Sequence, residues 1–534
     1  MTGREKIAFS LAILLLVVVA YMQVYAGFTG DKDWLLFSAR MWVDGRRLYV
    51  DIFQPNLPLI IWFYAIPVWI SMHVPGLADY EALSLIGLGL SAVCVWLSVR
   101  LIRLHPAFAE NTRRQVEFAL LLAYVFVFFP PPYCFFDREH FMLVLIFPYM
   151  LRLMPGLATA KPPLHIRVGI GLLAAAGFCI KPHTVIIFAV LQLLVMLRER
   201  SFSILSGLEN GIIYAVTLVY CICIWYFTPE YIAVVVPMAM ATYSAFSHRE
   251  NGLIYMAFAF FSAGLTFADF RARFATPYRK DVYYFIGVCC AFAAYALANN
   301  GWVYTYNPLL CILLFTNGWV LWEFGWLKRE HDVQNLNSRP FVFGARDCII
   351  NFLLNVGLIV FLYAKAFTVG PCDPVLGCKG SQPFVQYLLS HNVRSFGFMS
   401  LDFERWVKVS RLSGAGWDTR FNHLWMLPKL VGENKESAAK NRWIVDYVGR
   451  AYAEDLTLRK PEIIFVDSGK PAFFGRVVDL NIPQFFSTVP EFKEAWSHYH
   501  YAATIDECHG DQNDDSSASH QATGCMFDIY SRSP

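Results

Sequence analysis

Charged residues are scarce in this chain, and their scarcity excludes a soluble globular protein. Asp, Glu, Lys and Arg together make up 16% of the 534 residues, whereas about a quarter is typical of soluble domains. Hydrophobic residues make up 57%, and the mean hydropathy is +0.43. The chain is also too long for a single small core, so the composition indicates a protein that crosses a membrane several times.

Nucleotide-binding motifs and internal repeats are missing as well. No G-x-x-x-x-G-K-[ST] loop and no G-x-G-x-x-G turn before a helix occurs, which argues against the use of ATP or a nucleotide sugar on the cytoplasmic side. No internal repeat of helices is evident, although many secondary transporters show one. Both absences weigh against an ATP-driven machine and a repeat-based transporter.

Long apolar runs recur from residue 7 to about residue 364, most of them near the length needed to cross a hydrocarbon layer roughly 30 Å thick. Helices are the expected form, because every backbone polar group must be satisfied within the lipid. The first run follows Arg4 and Lys6, as in a signal peptide, but no A-x-A-like site ends it, so we predict a retained helix. The predicted crossings are 7–26, 82–99, 116–133, 141–153, 167–180, 184–197, 210–227, 252–268, 283–298, 308–326 and 347–364.

Clusters of Lys and Arg set the orientation, since short cytoplasmic loops are rich in both. If every cluster is cytoplasmic, the three apolar runs that precede the cluster at Arg100 make one crossing too many. Pro55, Pro58, Pro67 and Pro75 lie in or beside the run from Leu57 to Val74, and we predict that they break it and that it lies in or dips into the outer leaflet. Residues 27–81 then form one large outer loop, about eleven helices cross the membrane, and the C-terminal part lies outside.

The apolar pattern ends near Lys365, and residues 365–534 are predicted to form a soluble domain after the transmembrane domain of residues 1–364. The segments "NVRSFGFMSL" and "KPEIIFVDSG" are typical of strands, and a helix is predicted from Asn441 to Ala453. The prediction for this part is therefore a small α/β fold on the outer side of the membrane. Nothing in it forms a recognisable catalytic set.

Four of the 13 cysteines lie in this C-terminal part. An even number of cysteines in an oxidising compartment favours disulfides. The simplest pairing joins Cys372 to Cys378 and Cys508 to Cys525.

Ionisable and aromatic side chains gather in the loops that this topology places outside. Charges at helix ends are usually solvated or snorkel, and Trp and Tyr commonly form interface belts. Four consecutive ionisable residues that lead directly into an apolar helix lie where such groups are costly and usually functional. The candidates are Asp31 and Asp33 before a predicted short helix on the membrane surface, Asp137, Arg138, Glu139 and His140 in "DREHF", Lys181 and His183 in "IKPH", Arg249 in "SHREN", and Trp302 and Tyr304 in "GWVYTY".

The segments "GDKDWLLFSARMWVDGRRLY", "DREHFMLVLIFPYM", "IKPH" and "GWVYTYNPLL" resemble the GT-C superfamily of membrane glycosyltransferases. The resemblance lies with the broad group that holds the protein mannosyltransferases and the aminoarabinose transferase of lipid A, and it covers residues 7 to about 326. It implies a GT-C-like arrangement of helices, with an interfacial helix framing the active-site cavity. Where the family has an Asp–Glu pair, this chain has Asp31 and Lys32, with Asp33 one residue later, so both acids remain candidates; alignment on the "SAR" segment favours Asp31.

The resemblance implies an inverting enzyme that moves a sugar from a polyprenyl-phosphate donor to an acceptor on the outer face. A carboxylate would act as the base for the acceptor hydroxyl, and cations would oppose the charge that develops on the phosphate. The acceptor is a glycan, a lipid or a protein, and no nucleic acid is expected. The expected catalytic set is Asp31, Asp33, Asp137 and Glu139, and the expected donor-binding set is Lys181, Arg138, His140, His183, Arg249, Trp302 and Tyr304.

No cofactor is expected from the sequence. Asp31, Asp137 and Glu139 would make a hard oxygen site for a divalent cation, but Arg138 within the same cluster favours a charge network without a metal. Two other hypotheses stay open. A transporter or flippase for a lipid-linked envelope precursor would have essential charges at mid-membrane depth. In a structural envelope protein the outer acids would be dispensable. The compact loops favour a bacterial inner membrane, with the C-terminal domain in the periplasm.

Overall fold

The structure is a computed structural model that describes residues 3–25, 31–132, 134–243, 279–298, 303–331, 357, 381–401, 405–431, 435–468, 472–473, 476–477, 480–506 and 526–533. The labels below number its helices and strands in chain order. The chain divides into two compact units, each assembled from segments far apart in sequence. The helical unit comprises Met1–Gly27, Ile70–Cys223 and His248–Gly370, and the mixed unit comprises Phe28–Trp69, Ile224–Ser247 and Pro371–Pro534. The predicted boundary near residue 364 lies outside the described residues and stays a prediction.

Apolar helices make up the described part of the helical unit. Helix α5 continues into a π-helical turn at Tyr124–Phe128, and a 3₁₀ turn at Pro155–Leu157 follows α6. The helices are α1 (Gly3–Tyr25), α4 (Asp79–Ile102), α5 (Thr112–Ala123), α6 (Arg138–Arg152), α7 (Leu164–Phe178), α8 (Thr184–Glu199), α9 (Leu208–Phe227), α11 (Arg279–Ala298) and α12 (Val303–His331).

Each predicted crossing that falls on described residues coincides with one of these helices. Within the described residues, three helices are long and apolar enough to cross a membrane, namely Asp79–Ile102, Leu208–Phe227 and Lys280–Ala298. Shorter apolar helices cover Phe9–Tyr25, Pro58–His73, Leu164–Phe178 and Tyr231–Thr242. The predicted crossings at 252–268 and 347–364 lie outside the described residues.

The prediction that prolines interrupt the apolar run at 57–74 was wrong. Helix α3 (Pro58–His73) continues through Pro67. Pro58 lies in its first turn, where the missing N–H costs nothing, whereas Pro67 lies inside the helix and removes one of its hydrogen bonds. With 16 residues the helix is about 24 Å long, which is shorter than a full hydrocarbon layer.

Helix α6 forms the core of the helical unit. Every residue from Arg138 to Leu151 is buried, and the helix packs against α4, α7 and α12. Its sequence is apolar on all faces after the first turn, as expected for a helix that is surrounded by protein. Phe147 anchors it between the rings of Phe126 and Phe315, at centroid distances of 5.3 and 5.0 Å.

Polar contacts show which loops of the helical unit lie together at the same end of the helices. At one end Glu209 lies 3.4 Å from Arg152 and bonds Arg167 at 2.8 Å, and Arg198 donates to the Leu153 carbonyl at 2.7 Å. These contacts join the end of α6, the start of α7, the end of α8 and the start of α9. The start of α6, the loop between α7 and α8 and the start of α12 meet at the opposite end. Helices α6, α7, α8 and α9 therefore alternate in direction, as the predicted crossings of these four helices require.

The mixed unit contains a five-stranded sheet in the order β2-β1-β3-β7-β6. Strands β2, β1 and β3 are parallel, whereas β7 and β6 are antiparallel to their neighbours. The predicted α/β fold of the C-terminal part is thus confirmed, with both predicted strands and the predicted helix in place. The strands are β1 (Ser395–Met399), β2 (Gly416–Trp417), β3 (Ile463–Asp467), β6 (Tyr499–Asp506) and β7 (Met526–Arg532), and β4 (Ala472–Phe473) pairs with β5 (Arg476–Val477).

Short helices flank the sheet. Their amphipathic faces cover it, as in α17, whose residues Ile444 and Val448 are fully buried. The helices are α2 (Asp31–Val43), α10 (Val236–Thr242), α13 (Gln382–Ser390), α14 (Trp406–Ser413), α15 (Leu427–Val431), α16 (Lys435–Lys440), α17 (Arg442–Glu454), α18 (Ile482–Phe486) and α19 (Pro490–Trp496).

Helix α2 matches the predicted short helix in position but is more buried than the sequence indicates. The rings of Trp34 and Phe37 each lie 5.2 Å from the ring of Trp417, and Leu36 is fully buried. The apolar side that was expected to face lipid therefore packs largely against the C-terminal part of the mixed unit. Trp42 is exposed, and the position of the helix at a membrane surface stays a prediction.

Candidate active site

The loop before α6 is held in place by buried polar contacts. The side-chain amide of Gln23 donates to the carbonyls of Val127 and Pro130, at 3.0 and 2.8 Å. Phe136 adopts a left-handed backbone conformation with φ 53°, which is uncommon for an aromatic residue. Its N–H donates to Nδ1 of His140 at 3.0 Å, and this hydrogen bond stabilises the turn. These contacts therefore hold residues 137–140 in a fixed position.

Asp137 and His140 build the first turn of α6. Asp137 is the N-cap, and its carboxylate accepts a hydrogen bond from the His140 N–H at 2.8 Å. The His140 imidazole is fully buried and lies against the rings of Phe135 and Phe136. Both side chains therefore have structural roles here, in addition to the catalytic and donor-binding roles predicted for them.

Four residues form a cluster of charges around one ring, which we call the Lys181 cluster: Arg138, Glu139, Lys181 and Tyr304. Oε1 of Glu139 pairs with the Lys181 ammonium, and Oε2 lies 4.0 Å from Nε of Arg138. The Lys181 ammonium and the Arg138 guanidinium lie 5.3 and 5.8 Å from the centroid of the Tyr304 ring. Both distances fall within the range of cation–π attraction.

The Lys181 cluster concentrates charge where water is largely excluded. The Glu139 side chain is 0% exposed and that of Lys181 is 11% exposed, so the lysine is the most accessible of the three charged members. Tyr295 is fully buried and interacts electrostatically with Glu139 and Arg138. Two cations that share one carboxylate and one ring face retain the capacity to bind a further anion, and in a low dielectric that attraction is strong.

The predicted acids of the first loop lie in the mixed unit. Asp31 is half-buried at the start of α2, and Asp33 is buried two residues later. Oδ1 of Asp33 lies 3.4 Å from a guanidinium nitrogen of Arg411 in α14. Of the two acids, Asp31 is therefore the more accessible, and Asp33 is buried near a guanidinium of its own unit.

The structure thus brings together four of the predicted residues in the Lys181 cluster and places Asp31 and Asp33 in one helical turn. His183 is exposed beside Lys181 at the start of α8. Arg249 and Trp302 lie outside the described residues, as do the four cysteines predicted to form disulfides. Sequence reasoning missed Arg411 and Tyr295, because neither lies in a loop with a recognisable pattern.

The expectation about metals stays untested. Across the parts of the chain that the structure describes, no group of three or more His, Cys, Asp or Glu residues is close enough to hold a metal ion. The carboxylate of Glu139 is engaged with two cations, which is the arrangement that the sequence favoured over a metal site.

Comparisons with known proteins identify the fold. No protein-family model matches the sequence, and no curated protein matches it. Among solved structures, the chain is similar to the crystal structure of ArnT from Cupriavidus metallidurans bound to undecaprenyl phosphate. The TM-score is 0.51 at 12% identity, and the match covers 87% of this chain and 94% of that chain. At this identity the similarity shows the fold alone: the chain has the fold of ArnT, and the predicted resemblance is confirmed at that level.

Proposed function

We propose that this protein is an inverting membrane glycosyltransferase that moves a sugar from a polyprenyl-phosphate donor to an acceptor on the outer face of the membrane. The Lys181 cluster is the observation that carries the proposal. It places two cations, one of them accessible, at one end of a bundle that shares its fold with ArnT, whose crystal structure is bound to undecaprenyl phosphate.

The proposed topology has about eleven crossings, with the mixed unit in the periplasm of a bacterial cell. Two observations support it. Arg152, Arg167 and Arg198 gather at the end of the helical unit opposite the Lys181 cluster, as the positive-inside rule requires if that cluster faces outward. The first loop and the C-terminal part belong to the same compact unit, as expected if both lie on one side of the membrane.

The proposed reaction is a single displacement at the anomeric carbon of the donor. The acceptor oxygen attacks the face opposite the phosphate, its bond to the carbon forms as the carbon–phosphate oxygen bond breaks, and the electron pair leaves with the phosphate. We assign the acceptor's proton to Asp31, the more accessible of the two acids, and keep Asp33 as the alternative. Lys181 and Arg138 stabilise the charge on the departing phosphate, and Glu139 positions them.

The transporter alternative receives less support from the described residues. It requires essential charges at mid-membrane depth. Among the described residues of the helical unit, the ion pairs of the Lys181 cluster and those around Glu209 instead lie at helix ends.

Substitution of the proposed base and of the proposed phosphate-binding cation tests the function. A deletion strain is complemented with the wild-type protein, Asp31→Asn or Lys181→Ala, and polyprenyl-linked sugars and surface glycans are compared with those of the parent. Asp31→Asn should insert normally and restore no transfer, while Lys181→Ala should mainly weaken donor binding in the purified protein. Asp44→Asn is the matched control, because Asp44 is an exposed acid just after the same helix. Restoration at the wild-type rate by both test variants would refute the assignment.

A further inference from the structure

A cavity of about 380 Å³ opens on α17 in the mixed unit. Its volume falls in the range of about 300–1,000 Å³ that is typical of small-molecule sites. Its wall includes none of the residues predicted for catalysis or donor binding. The side chains that shape it are Arg420, Trp443, Asp446, Tyr447, Arg450 and Glu454.

Two aromatic rings form one wall of this cavity. Trp443 and Tyr447 lie four residues apart on α17 and therefore project from the same helical face. Trp443 is 38% exposed, although the adjacent face of the helix, with Ile444 and Val448, is buried in the core. A half-exposed indole beside a polar cavity offers a flat apolar surface together with an N–H donor.

Charged groups of both signs surround the rings and are held in place. Arg420 is almost completely buried and bonds Asp455 at 2.9 Å and Glu454 at 2.6 Å. Asp446 accepts a hydrogen bond from Arg442 at 2.9 Å. The Glu454 side chain is 53% exposed, so its carboxylate remains accessible from the cavity.

The charge balance of the cavity selects the class of ligand. Two guanidinium groups, from Arg420 and Arg450, face two carboxylates, from Asp446 and Glu454, so the lining carries no net charge. A phosphate or a polyanion would require surplus cations. A neutral molecule with many hydroxyls satisfies such a lining, because carboxylates and guanidinium groups hydrogen-bond adjacent hydroxyls in pairs.

We propose that this cavity binds a neutral glycan, with one pyranose ring stacked on Trp443 and Tyr447 and its hydroxyls bonded to Arg450, Glu454 and Asp446. The axial C–H groups of a pyranose form an apolar face that matches an aromatic ring, while its edge carries the hydroxyls. The inference rests on the proposed function and extends it, since it makes the acceptor a glycan-bearing molecule that the mixed unit holds through a sugar remote from the reacting hydroxyl.

Saturation-transfer NMR on the full chain in lipid nanodiscs, without any donor lipid, tests this proposal. The probes are maltose, cellobiose and lactose as neutral disaccharides and glucose 6-phosphate as an anionic sugar. At least one neutral disaccharide should bind in the millimolar range, and Trp443→Ala should weaken that binding by roughly tenfold. Glu454→Gln should also weaken it, which covers the case in which Trp443→Ala perturbs the helix.

Tyr501→Ala is the matched control, because Tyr501 is an exposed aromatic residue on β6 outside the cavity; it should bind as the wild type does. The proposal is overturned if no neutral disaccharide binds, if both cavity variants bind normally, or if glucose 6-phosphate binds more tightly than the disaccharides. Asp31→Asn should retain full disaccharide binding, so a failure of the proposed transfer reaction and a failure of this inference give different results.

Discussion

Glu139 is the residue on which the Lys181 cluster depends, because its carboxylate is fully buried between two cations. Removing one partner of a buried ion pair leaves an uncompensated charge in a low dielectric, at a cost of about 3–5 kcal/mol. We therefore expect Glu139→Gln to lower thermal stability by about that amount and to weaken donor binding, measured by thermal unfolding in nanodiscs with and without a polyprenyl phosphate.

Glu117 supplies the matched control for Glu139. Its ion pair with Arg113 is an i, i+4 pair at 2.8 Å whose side chains are about one-third and one-quarter exposed. Pairs of this kind contribute about 0.3–0.5 kcal/mol, so Glu117→Gln should have little effect. Equal losses in the two variants would show that the burial of Glu139 carries no special cost.

The ionisation of Asp51 should make the stability of the mixed unit depend on pH. Burial raises the pKa of this carboxyl, but hydrogen bonds from Arg47 and the charge of Arg459 outweigh it, so the net pKa is lowered from 3.8. A lowered pKa means that Asp51 contributes stability above its unfolded pKa and loses it as the pH falls through the folded value. Wild type should be more stable than Asp51→Asn at about pH 6, and the difference should begin to shrink only near pH 4 and vanish once the pH lies below the lowered folded pKa.

Unfolding curves of the two proteins across this pH range provide the measurement for Asp51. Asp44→Asn serves again as the control, since Asp44 is exposed in the same loop and its removal should shift stability little at any pH. A difference between wild type and Asp51→Asn that stays constant with pH would contradict the role assigned to its ionised form.

Single residues differ in how far the sequence could identify them. Glu139 and Lys181 could be found because ionisable groups that flank apolar helices are costly and rare. Arg411 could not, because it lies 378 residues from Asp33 in an ordinary amphipathic helix and only the fold brings the two together. The sequence alone left Asp31 and Asp33 equal in chemistry, and their different burial separates them.

At the scale of elements, a buried set of hydrogen bonds among His105, Gly156 and Asp281, which we call the clasp, joins three segments of the helical unit. Nε2 of His105, after α4, lies 3.0 Å from Asp281 in α11, and the Gly156 N–H donates to the same carboxylate at 2.7 Å. Nδ1 of His105 accepts from the Ala107 N–H, which assigns the ring proton to Nε2 and leaves the imidazole as donor to Asp281. All three segments are therefore fixed by one carboxylate.

Gly156 tests the clasp, because a Cβ at this position would lie 2.0 Å from Nε2 of His105 and 2.9 Å from Asp281. Gly156→Ala must displace the imidazole and should cost roughly 1–3 kcal/mol of stability. Gly211→Ala is the control: nothing lies within 4 Å of its Cβ, and alanine in a helix is favoured over glycine by up to about 1 kcal/mol. Equal thermal stability of both variants would exclude the clasp as a determinant of stability.

Helices and strands could be predicted where the local sequence determines the structure. They could not be predicted where the structure depends on contacts with residues distant in sequence. The long apolar runs predicted most helices, and short apolar runs predicted β1 and β3. The continuity of α3 through Pro67 depends on its surroundings. The burial of α2 could not be predicted, because the sequence of an apolar helix face is the same whether lipid or protein contacts it. In this structure Trp417 contacts that face.

At the scale of the whole molecule, the mixed unit is not a C-terminal domain in the usual sense, because two earlier segments belong to it. Phe53 packs on Phe421, Tyr243 stacks on Trp425, and Tyr49 contacts Tyr231. Contacts of such long sequence separation leave no trace in local composition, so a boundary drawn from hydropathy alone could not include them.

This interleaving predicts that residues 371–534 will not fold alone. Without the segment 28–69, the rings of Trp417 and Phe421 lose their contacts with Trp34, Phe37 and Phe53, and apolar surface that the unit buries becomes exposed. We expect the isolated fragment to unfold without cooperativity, to bind a hydrophobic dye and to lack near-ultraviolet circular dichroism. A fusion of residues 28–57 to this fragment through a Gly/Ser linker should recover part of the cooperativity, because it restores those ring contacts. Sharp two-state unfolding of the isolated fragment as a monomer would show that its own sheet and helices suffice, and that the first loop docks on a domain that is already folded.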